Sequence, residues 1–258
     1  MIDKINVLKK HILIAVNKCQ EGHIPSAFSI IDILYVLYHK ILNIDPENFN
    51  SETRDRFILS KGHASLGLYS VLASKNFFSM DELKTFGSFD SFLGGHPDCN
   101  KVPGVEASTG SLGHGFPTSI GIALALKIKK SNSRVFVLIG DGECNEGTIW
   151  EGALLASNYK LNNLTCIIDY NHSNDRSLKL DSLIDKFSSF GWETMELDGH
   201  NHSEIQETLS YSNNHKPLAI IAHTIKGKGI AEMENNPAWH HKSPSDQELE
   251  IFIKELNK

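Results

Sequence analysis

The sequence predicts a single α/β domain in which helices cover both faces of a parallel sheet. Three observations support this fold class. Apolar runs of strand length alternate with segments of helical periodicity, which is the order typical of right-handed βαβ crossovers. One such run ends in Gly140 and Gly142, which allow a backbone to approach an anionic ligand closely. The 258 residues, 40% of them hydrophobic, suffice for one large core.

The first part of the chain is mainly helical in pattern. A first helix is indicated by apolar residues at helical spacing, namely Ile5, Leu8, Ile12, Ala15 and Val16. A second helix is expected from Phe28 to Tyr38, with its cap near Ser26. Residues 56–59 form a short strand candidate, and the capping-box pattern that begins at Ser79 predicts another helix start.

From Gly113 onward, helices and strands alternate. After a first helix we predict strand 134–139, helix 146–159, strand 164–169, helix 182–190, a weak strand at 193–197, helix 203–212 and strand 217–222. Capping-box patterns begin at Ser203 and Ser245. The loop of residues 87–115 is rich in Gly and His and too long for a simple connection, so we expect it to be functional. Residues 226–245 are the one linker-like stretch.

Composition excludes several classes of protein. A net charge of -6 without a basic tract argues against a nucleic-acid partner. No apolar stretch approaches the length of a membrane span and no signal peptide is evident, so a cytoplasmic location is expected. Four scattered cysteines, Cys19, Cys99, Cys144 and Cys166, are interpreted as reduced thiols. Cys144 is not expected to be a nucleophile, because no histidine nearby would activate it.

Two polar residues follow neighbouring strand candidates. Asp141 comes directly after the run Val135–Ile139, and Asn171 comes shortly after the run 164–168. Open α/β sheets bind their ligands at the carboxyl ends of the parallel strands. Both side chains should therefore meet at that edge. A carboxylate and an amide oxygen, completed by phosphate oxygens and water, suit Mg²⁺. A Gly-Asp-Gly after a strand is also compatible with an ordinary turn.

The stretch from Gly140 to Asn171 resembles the thiamin-diphosphate signature, and further segments resemble transketolase. These segments are Gly22-His23, residues 55–64, Gly95-His96-Pro97, residues 109–115 and residues 233–240. The resemblance covers nearly the whole chain in family order. It implies the thiamin-diphosphate-binding fold with a central, mostly parallel sheet. It also implies that residues 1–258 are one diphosphate-binding domain, with the pyrimidine-binding and C-terminal domains on a partner chain.

The resemblance implies roles for individual residues. The catalytic histidines would be His23, His63, His96 and His240, with His63 beside the cofactor diphosphate and His96 on the hydroxyls of the two-carbon unit. The cofactor-binding set would be His63, Gly110, Leu112, Gly140, Asp141, Gly142, Asn171 and His240. A divalent cation, Mg²⁺ or else Ca²⁺ or Mn²⁺, would be held by Asp141, Asn171 and the backbone carbonyl of Ser173.

Some of these positions have alternative interpretations. Leu112 is also compatible with plain core packing. Glu146 and Glu151 match acidic positions buried between subunits in the family, or they are solvated charges near a helix start. Asp175 stands where the family usually has an apolar residue that packs on a cofactor ring. We expect the loop to shift so that Leu178 fills that place and Asp175 points to solvent. His241 and Ser111 are milder departures from the pattern.

The resemblance also implies a partner. In the family, a glutamate from the neighbouring protomer activates the aminopyrimidine of the cofactor, and this chain ends at Lys258 without that domain. We therefore expect an α2β2 heterotetramer with a C-terminal transketolase subunit, which moves a two-carbon ketol unit from a ketose, expected to be phosphorylated, to an aldose. The alternatives are an inactive or regulatory paralogue and a deoxyxylulose-phosphate synthase-like or decarboxylase-type subunit. A nicotinamide-binding domain is disfavoured, because no G-x-G-x-x-G opens a helix after the first strand.

Overall fold

The computed structural model describes residues 1–176, 178–212 and 215–257. Within them the chain forms one five-stranded sheet with the order β1-β2-β3-β5-β4, and every neighbouring pair is parallel. The strands are β1 (Arg56–Leu59), β2 (Val135–Gly140), β3 (Leu164–Tyr170), β4 (Glu193–Asp198) and β5 (Leu218–His223). Each predicted strand is present, with ends shifted by one residue at most.

Helices cover both faces of the sheet, as the sequence predicted. They are α1 (Ile2–Cys19), α2 (Ile24–Val36), α3 (Ser65–Ser74), α4 (Gly115–Ile128), α5 (Gly147–Asn158), α6 (Leu183–Ser189), α7 (His202–Ser210) and α8 (Asp246–Glu255). Successive residues of β2 point to opposite faces. Phe136 and Leu138 join a core with α1, α2, α3, α7 and α8, whereas Val135, Val137 and Ile139 join a core with α4, α5 and α6.

Several predicted helix starts are wrong. Helix α2 begins at Ile24 rather than being capped near Ser26, because Pro25 in its first turn has a backbone angle already suited to a helix. Helix α7 is capped by Asn201, whose Oδ1 accepts the backbone N–H groups of Ser203 and Glu204. The segment after Ser79 is a 3₁₀ helix, Met80–Thr85, rather than an α-helix. The capping box at Ser245 is confirmed.

The segment Ile24–Ile41 corrects a further expectation. It is a continuous helix whose length and mean hydropathy of 1.2 would suffice to cross a membrane, although the sequence analysis found no stretch of that kind. In the structure 83% of this segment is buried inside the protein. Its apolar surface therefore serves the core, where it packs against α1, α3 and α7.

Residues 226–245 are not a linker. Ile230, Met233 and Trp239 from this segment are buried in the core that contains α1 and α8. Lys9 of α1 donates a hydrogen bond to the carbonyl of Lys228 (2.8 Å), and Gly227 N–H donates to the carbonyl of Pro25 (3.1 Å). The segment leaves the carboxyl end of β5 and is fixed along the edge where the functional residues lie.

Candidate active site

The carboxyl ends of β2 and β3 bring the predicted metal-binding residues together. Gly140 is in register with Asp169, so Asp141 and Asn171 follow at the same edge, and both are buried. The Ser173 hydroxyl lies 2.5 Å from Asn171 Oδ1 and 3.4 Å from Asp141 Oδ1. Gly142 N–H donates to Asp141 Oδ1 (2.7 Å). The structure thus brings these residues together, whereas their role as metal ligands, including that of the Ser173 carbonyl, stays a prediction.

Asp141 is a buried carboxylate whose charge is only partly balanced by its surroundings. It is only 3% exposed, and burial together with the nearby charge of Asp169 raises its pKa. Lys61 offsets this only in part, because its ammonium group pairs directly with Asp169. A buried carboxylate next to an amide oxygen is a donor set suited to a hard divalent cation.

Asp169 holds these groups in place and was missed by the sequence analysis. Its fully buried carboxylate accepts hydrogen bonds from Lys61, Thr224, Ser29 (2.9 Å) and Asn171 Nδ2 (2.7 Å). Burial opposes its charge, but Lys61 and the hydroxyl donors outweigh burial and lower its pKa. Because Asn171 Nδ2 donates to Asp169, the amide oxygen of Asn171 is turned toward Ser173, whose backbone N–H donates to it (3.1 Å). Ser173 in turn adjoins Asp141 in the loop of residues 141–145, which is the predicted metal loop. An aspartate inside an apolar strand was the available signal.

Three of the predicted histidines form a cluster. The ring centroid of His23 lies 5.1 Å from that of His63 and 5.2 Å from that of His240, and the last two are 6.1 Å apart. His241, which the sequence analysis treated as a departure from the family, lies 4.5 Å from His23. The structure thus joins residues that are far apart in the chain.

The imidazoles of His23 and His63 are neutral at neutral pH. Burial lowers the pKa of His63 to about 2, and the charge of Lys61 adds to the effect. Burial and the neighbouring His241 and His240 lower the pKa of His23 to about 4. A neutral imidazole can accept a hydrogen bond at one nitrogen and donate at the other, so these rings can contact hydroxyl groups in either sense.

His96 is placed by the loop of residues 87–115. Its ring lies against Gly110, where an added Cβ would be only 3.0 Å from His96 Cδ2, so a larger residue at 110 would displace the ring. Tyr69 OH donates to the carbonyl of His96 (2.9 Å). His96 is also close enough for its charge to affect His23. Leu112 is partly exposed and lies outside both cores of the described residues, so core packing does not account for it.

A cleft of about 550 Å³ lies beside the metal loop. Its lining includes Gly142, Asn171, Ser173, Asp175, Lys226, Pro237 and His240. The Lys226 ammonium group lies in this cleft 3.0 Å from His240 Nδ1, and burial together with the charge of Lys61 lowers its pKa. Lys226 was not predicted from the sequence, although a lysine-glycine run shortly after a strand was a signal. Side-chain oxygens can bind a metal ion, and the lysine ammonium group can pair with an anion. The cleft therefore suits an anionic ligand that is bound together with a metal ion.

Glu143 connects the metal loop with the glycine-rich loop and was also missed. It is buried, and its Oε1 accepts from Gly113 N–H (2.9 Å) and the Ser60 hydroxyl. Its Oε2 accepts from Gly140 N–H (3.2 Å). One carboxylate therefore fixes the spacing between Gly140 and the loop that carries Gly110 and Leu112.

Comparison with known proteins agrees with this geometry. The family model described as transketolase, thiamine diphosphate binding domain, matches residues 1–256.

This chain belongs to the transketolase family.

Relatives within the transketolase family include two-chain enzymes. The chain is 38% identical over 258 residues to one subunit of the apulose-4-phosphate transketolase of Phocaeicola vulgatus, covering 97% of this chain and 91% of the relative. It is 35% identical to a 6-deoxy-6-sulfo-D-fructose transketolase subunit of a Clostridium species, covering 98% and 94%. It is also 35% identical to human transketolase, where the match covers 98% of this chain but only 41% of the relative.

The fold comparison gives the same family. The transketolase of Campylobacter jejuni superimposes with a TM-score of 0.91 at 29% identity, covering 99% of this chain and 42% of that structure. The chain therefore spans about two-fifths of the solved transketolases that it matches. The predicted fold class, a thiamin-diphosphate-binding α/β fold, is confirmed.

Two acidic residues and one cysteine of this transketolase-family chain follow Asp141 closely in the sequence, namely Glu146, Glu151 and Cys144. Cys144 is fully buried and burial raises its thiol pKa, which disfavours the thiolate that a nucleophile requires. Glu146 and Glu151 are exposed on the single chain, which fits either a subunit interface or a solvated helix start.

The expected shift of the 172–180 loop is wrong. Leu178 is 61% exposed, whereas Asp175 lines the cleft and its Oδ2 lies 2.9 Å from His172 Nδ1. The backbone explains this, because Leu178 N–H donates to the Asn174 carbonyl (3.2 Å) while the Asn174 amide donates to the Leu178 carbonyl. These bonds hold residue 178 outside the cleft. Ser177, in the same loop, lies outside the described residues.

Two single substitutions in this loop, Asp175→Ala and Leu178→Ala, test this arrangement through their effects on cofactor affinity. Asp175→Ala should change the affinity for thiamin diphosphate in the assembled enzyme, because the side chain lines the cleft. Leu178→Ala should leave the affinity within about twofold, since an exposed side chain contributes little, roughly 0.5 kcal/mol at most. Titration calorimetry on both variants measures the difference. A larger loss from Leu178→Ala would mean that the loop closes over the cofactor in another conformation.

Proposed function

We propose that this chain is the diphosphate-binding subunit of a transketolase that transfers a two-carbon ketol unit from a phosphorylated ketose to an aldose. The observation that carries the proposal is one cleft lined by Asn171, Lys226 and His240. Asp141 adjoins this cleft through Ser173, and His23 and His63 cluster around the ring of His240. Relatives of nearly the same length are named as single subunits of transketolases, which supports the two-chain arrangement.

The residues of the cleft fit thiamin diphosphate with a divalent cation. Asp141 and Asn171, with the Ser173 carbonyl, would hold Mg²⁺, or Ca²⁺ or Mn²⁺, against the diphosphate. The raised pKa of Asp141 supports this, because a buried carboxylate of this kind gains most from a cation. Lys226 would neutralise further phosphate charge. Bound there, the cofactor supplies the stabilisation of the carbanion that protein side chains cannot provide.

The protein supplies hydrogen bonds and proton transfers around the reacting carbons. His96, His23 and His63 lie close to one another, and the lowered pKa values keep the last two neutral. A neutral imidazole can accept a hydrogen bond from a sugar hydroxyl. It can also take up the proton of that hydroxyl while a bond of the sugar breaks. His240, whose Nδ1 accepts from Lys226, connects this histidine cluster with the diphosphate end of the cleft.

A partner chain would complete the site. We infer that it supplies the pyrimidine-binding domain with its activating glutamate and forms an α2β2 heterotetramer with this chain. Helices α4 and α5 present an apolar surface for such an assembly, since Ile128, Leu154, Leu155 and Tyr159 are exposed there. Large exposed apolar side chains on neighbouring helices are common at protein interfaces.

One observation favours a second candidate. Asp175 lines the cleft and one of its oxygens, Oδ1, is buried without a hydrogen-bond partner among the described residues. A carboxylate at a position where an apolar contact is expected would suit a thiamin-dependent enzyme of another kind, or a paralogue that binds the cofactor without turnover. The four histidines are not needed by a protein that only binds the cofactor, so transketolase remains the better supported function.

The test is reconstitution. The purified chain alone should show no ketol transfer and weak thiamin diphosphate binding, because half of the cofactor pocket lies on the partner. Mixing with the product of an adjacent reading frame that carries the pyrimidine-binding pattern should give ketol transfer that requires thiamin diphosphate and is lost on chelation of the divalent cation. Ketol transfer by the isolated chain would contradict the two-chain proposal.

A further inference from the structure

A second cluster of ionisable side chains lies outside the cleft, between α2 and the turn that follows β4. Asp32 of α2 is buried, and it accepts hydrogen bonds from His200 Nδ1 (3.0 Å) and from His202 Nε2 (2.6 Å). Burial opposes the charge of Asp32, but the two histidine donors and the charge of Lys9 outweigh it and lower its pKa to about 2. Asp32 is therefore a charged acceptor that holds both rings.

The contacts of His200 fix its protonation. Its Nε2 accepts the backbone N–H of Ile225 (2.9 Å), so this nitrogen carries no proton. Its Nδ1 must then carry the proton that is donated to Asp32. His202 also hydrogen-bonds to Asp32, through its Nε2, whereas the N–H of Ile225 donates to His200. Of the two histidines it is therefore His200 that connects α2 with the backbone that leaves β5.

That backbone leads directly into the cleft. Ile225 is followed by Lys226, whose ammonium group lies beside His240, and is preceded by Thr224, whose hydroxyl donates to Asp169. The turn after β4 packs closely against Thr224, since a Cβ at Gly199 would lie 2.4 Å from Thr224 Cγ2. Gly199 N–H also donates to the carbonyl of His223 (2.8 Å). A shift of residue 225 would therefore move the base of the Lys226 side chain.

We propose that His200 is a positioning residue, which holds the Ile225 backbone so that Lys226 is directed at the diphosphate end of the bound cofactor. The inference rests on the proposed function, because it assigns Lys226 to the diphosphate. Its effect is local, since Lys9 and Pro25 hold the next residues independently through Lys228 and Gly227. Loss of the His200 contact should loosen one attachment of the segment and leave the fold intact.

Two substitutions separate the two contacts of His200. His200→Gln keeps an acceptor at the position of Nε2, whereas His200→Asn keeps only a donor near the position of Nδ1. His202→Gln is the matched control, because it keeps a donor to Asp32 and does not involve residue 225. Dissociation constants for thiamin diphosphate and for inorganic pyrophosphate, and kcat at saturating cofactor, are measured on each complex with the partner chain. Thermal unfolding of each variant is recorded in parallel.

His200→Asn should weaken the binding of both thiamin diphosphate and pyrophosphate by about tenfold, the order expected for one lost hydrogen bond. The kcat at saturating cofactor should stay within about twofold of wild type. His200→Gln should restore most of the affinity, and His202→Gln should match wild type. In a Lys226→Met background, His200→Asn should cause little further loss of affinity, because both changes act through the same ammonium group.

Other results would overturn the inference. Equal weakening by His200→Asn and His202→Gln would mean that the cluster only supports the fold. Unchanged affinity in His200→Asn, or full additivity with Lys226→Met, would show that His200 does not act through Lys226. If the wild-type complex binds no thiamin diphosphate, the proposed function itself fails, and this result is distinct from an unaffected His200→Asn.

Discussion

Asp141→Ala is expected to remove metal-dependent cofactor binding from the assembled enzyme, with affinity for thiamin diphosphate falling by about 100-fold or more. The change deletes the only carboxylate among the expected metal ligands, so the cation would no longer neutralise the diphosphate effectively. Asn171→Ala should act in the same direction with a smaller effect, because a neutral oxygen is lost. Calorimetric titrations with and without the divalent cation measure both variants.

The apo protein provides the control for Asp141→Ala. Because the folded state raises the pKa of Asp141, its ionised form is disfavoured there, and removing it should not lower thermal stability greatly at neutral pH. The expected pattern is therefore lost cofactor binding with a retained fold. Unchanged cofactor affinity in both Asp141→Ala and Asn171→Ala would show that the metal site has been assigned to the wrong residues.

His96→Ala should lower kcat/KM by about 10²–10⁴, the usual contribution of a positioned acid, base or hydroxyl contact. Cofactor affinity should remain nearly intact, because the ring lies against Gly110 and near His23 and is not part of the lining of the diphosphate cleft. Steady-state kinetics at saturating thiamin diphosphate, together with a cofactor titration, separate the two effects.

His11→Ala is a suitable control for the histidine substitution, since His11 is a partly exposed residue of α1 outside the site. It should leave kcat/KM and cofactor affinity near wild type. Weak cofactor binding by His96→Ala with normal turnover at saturation would reassign His96 to the diphosphate.

The strands and the metal loop were predictable because their signals are local. In β2 every residue is buried, so the apolar run by itself located the strand, and its end placed Asp141. Parallel pairing of β2 with β3 then followed from the alternation of strands and helices, and it brought Asn171 to the same edge. The family resemblance supplied the four histidines, which no periodicity would have grouped.

The loop residues show where such reasoning fails. Leu178 was expected in the cleft because an apolar residue normally gains from burial, but the hydrogen bonds with Asn174 hold it outside. Residues 226–245 lack regular periodicity and were interpreted as a linker, although Met233 and Trp239 are buried and Lys226 lines the cleft. Irregular segments carry little pattern, so their packing depends on the surface that receives them.

The sequence by itself determined the fold class, the strands, most helices and the position of the loop that follows β2, because periodicity and turn residues report the burial of neighbouring residues along one element. Only the tertiary structure decided the partners of buried polar groups. Lys61 meets Asp169 across 108 residues, and His200 reaches the Ile225 backbone across 25. A buried charge must find its partner wherever sheet order and register bring one, and that position is a property of the whole fold.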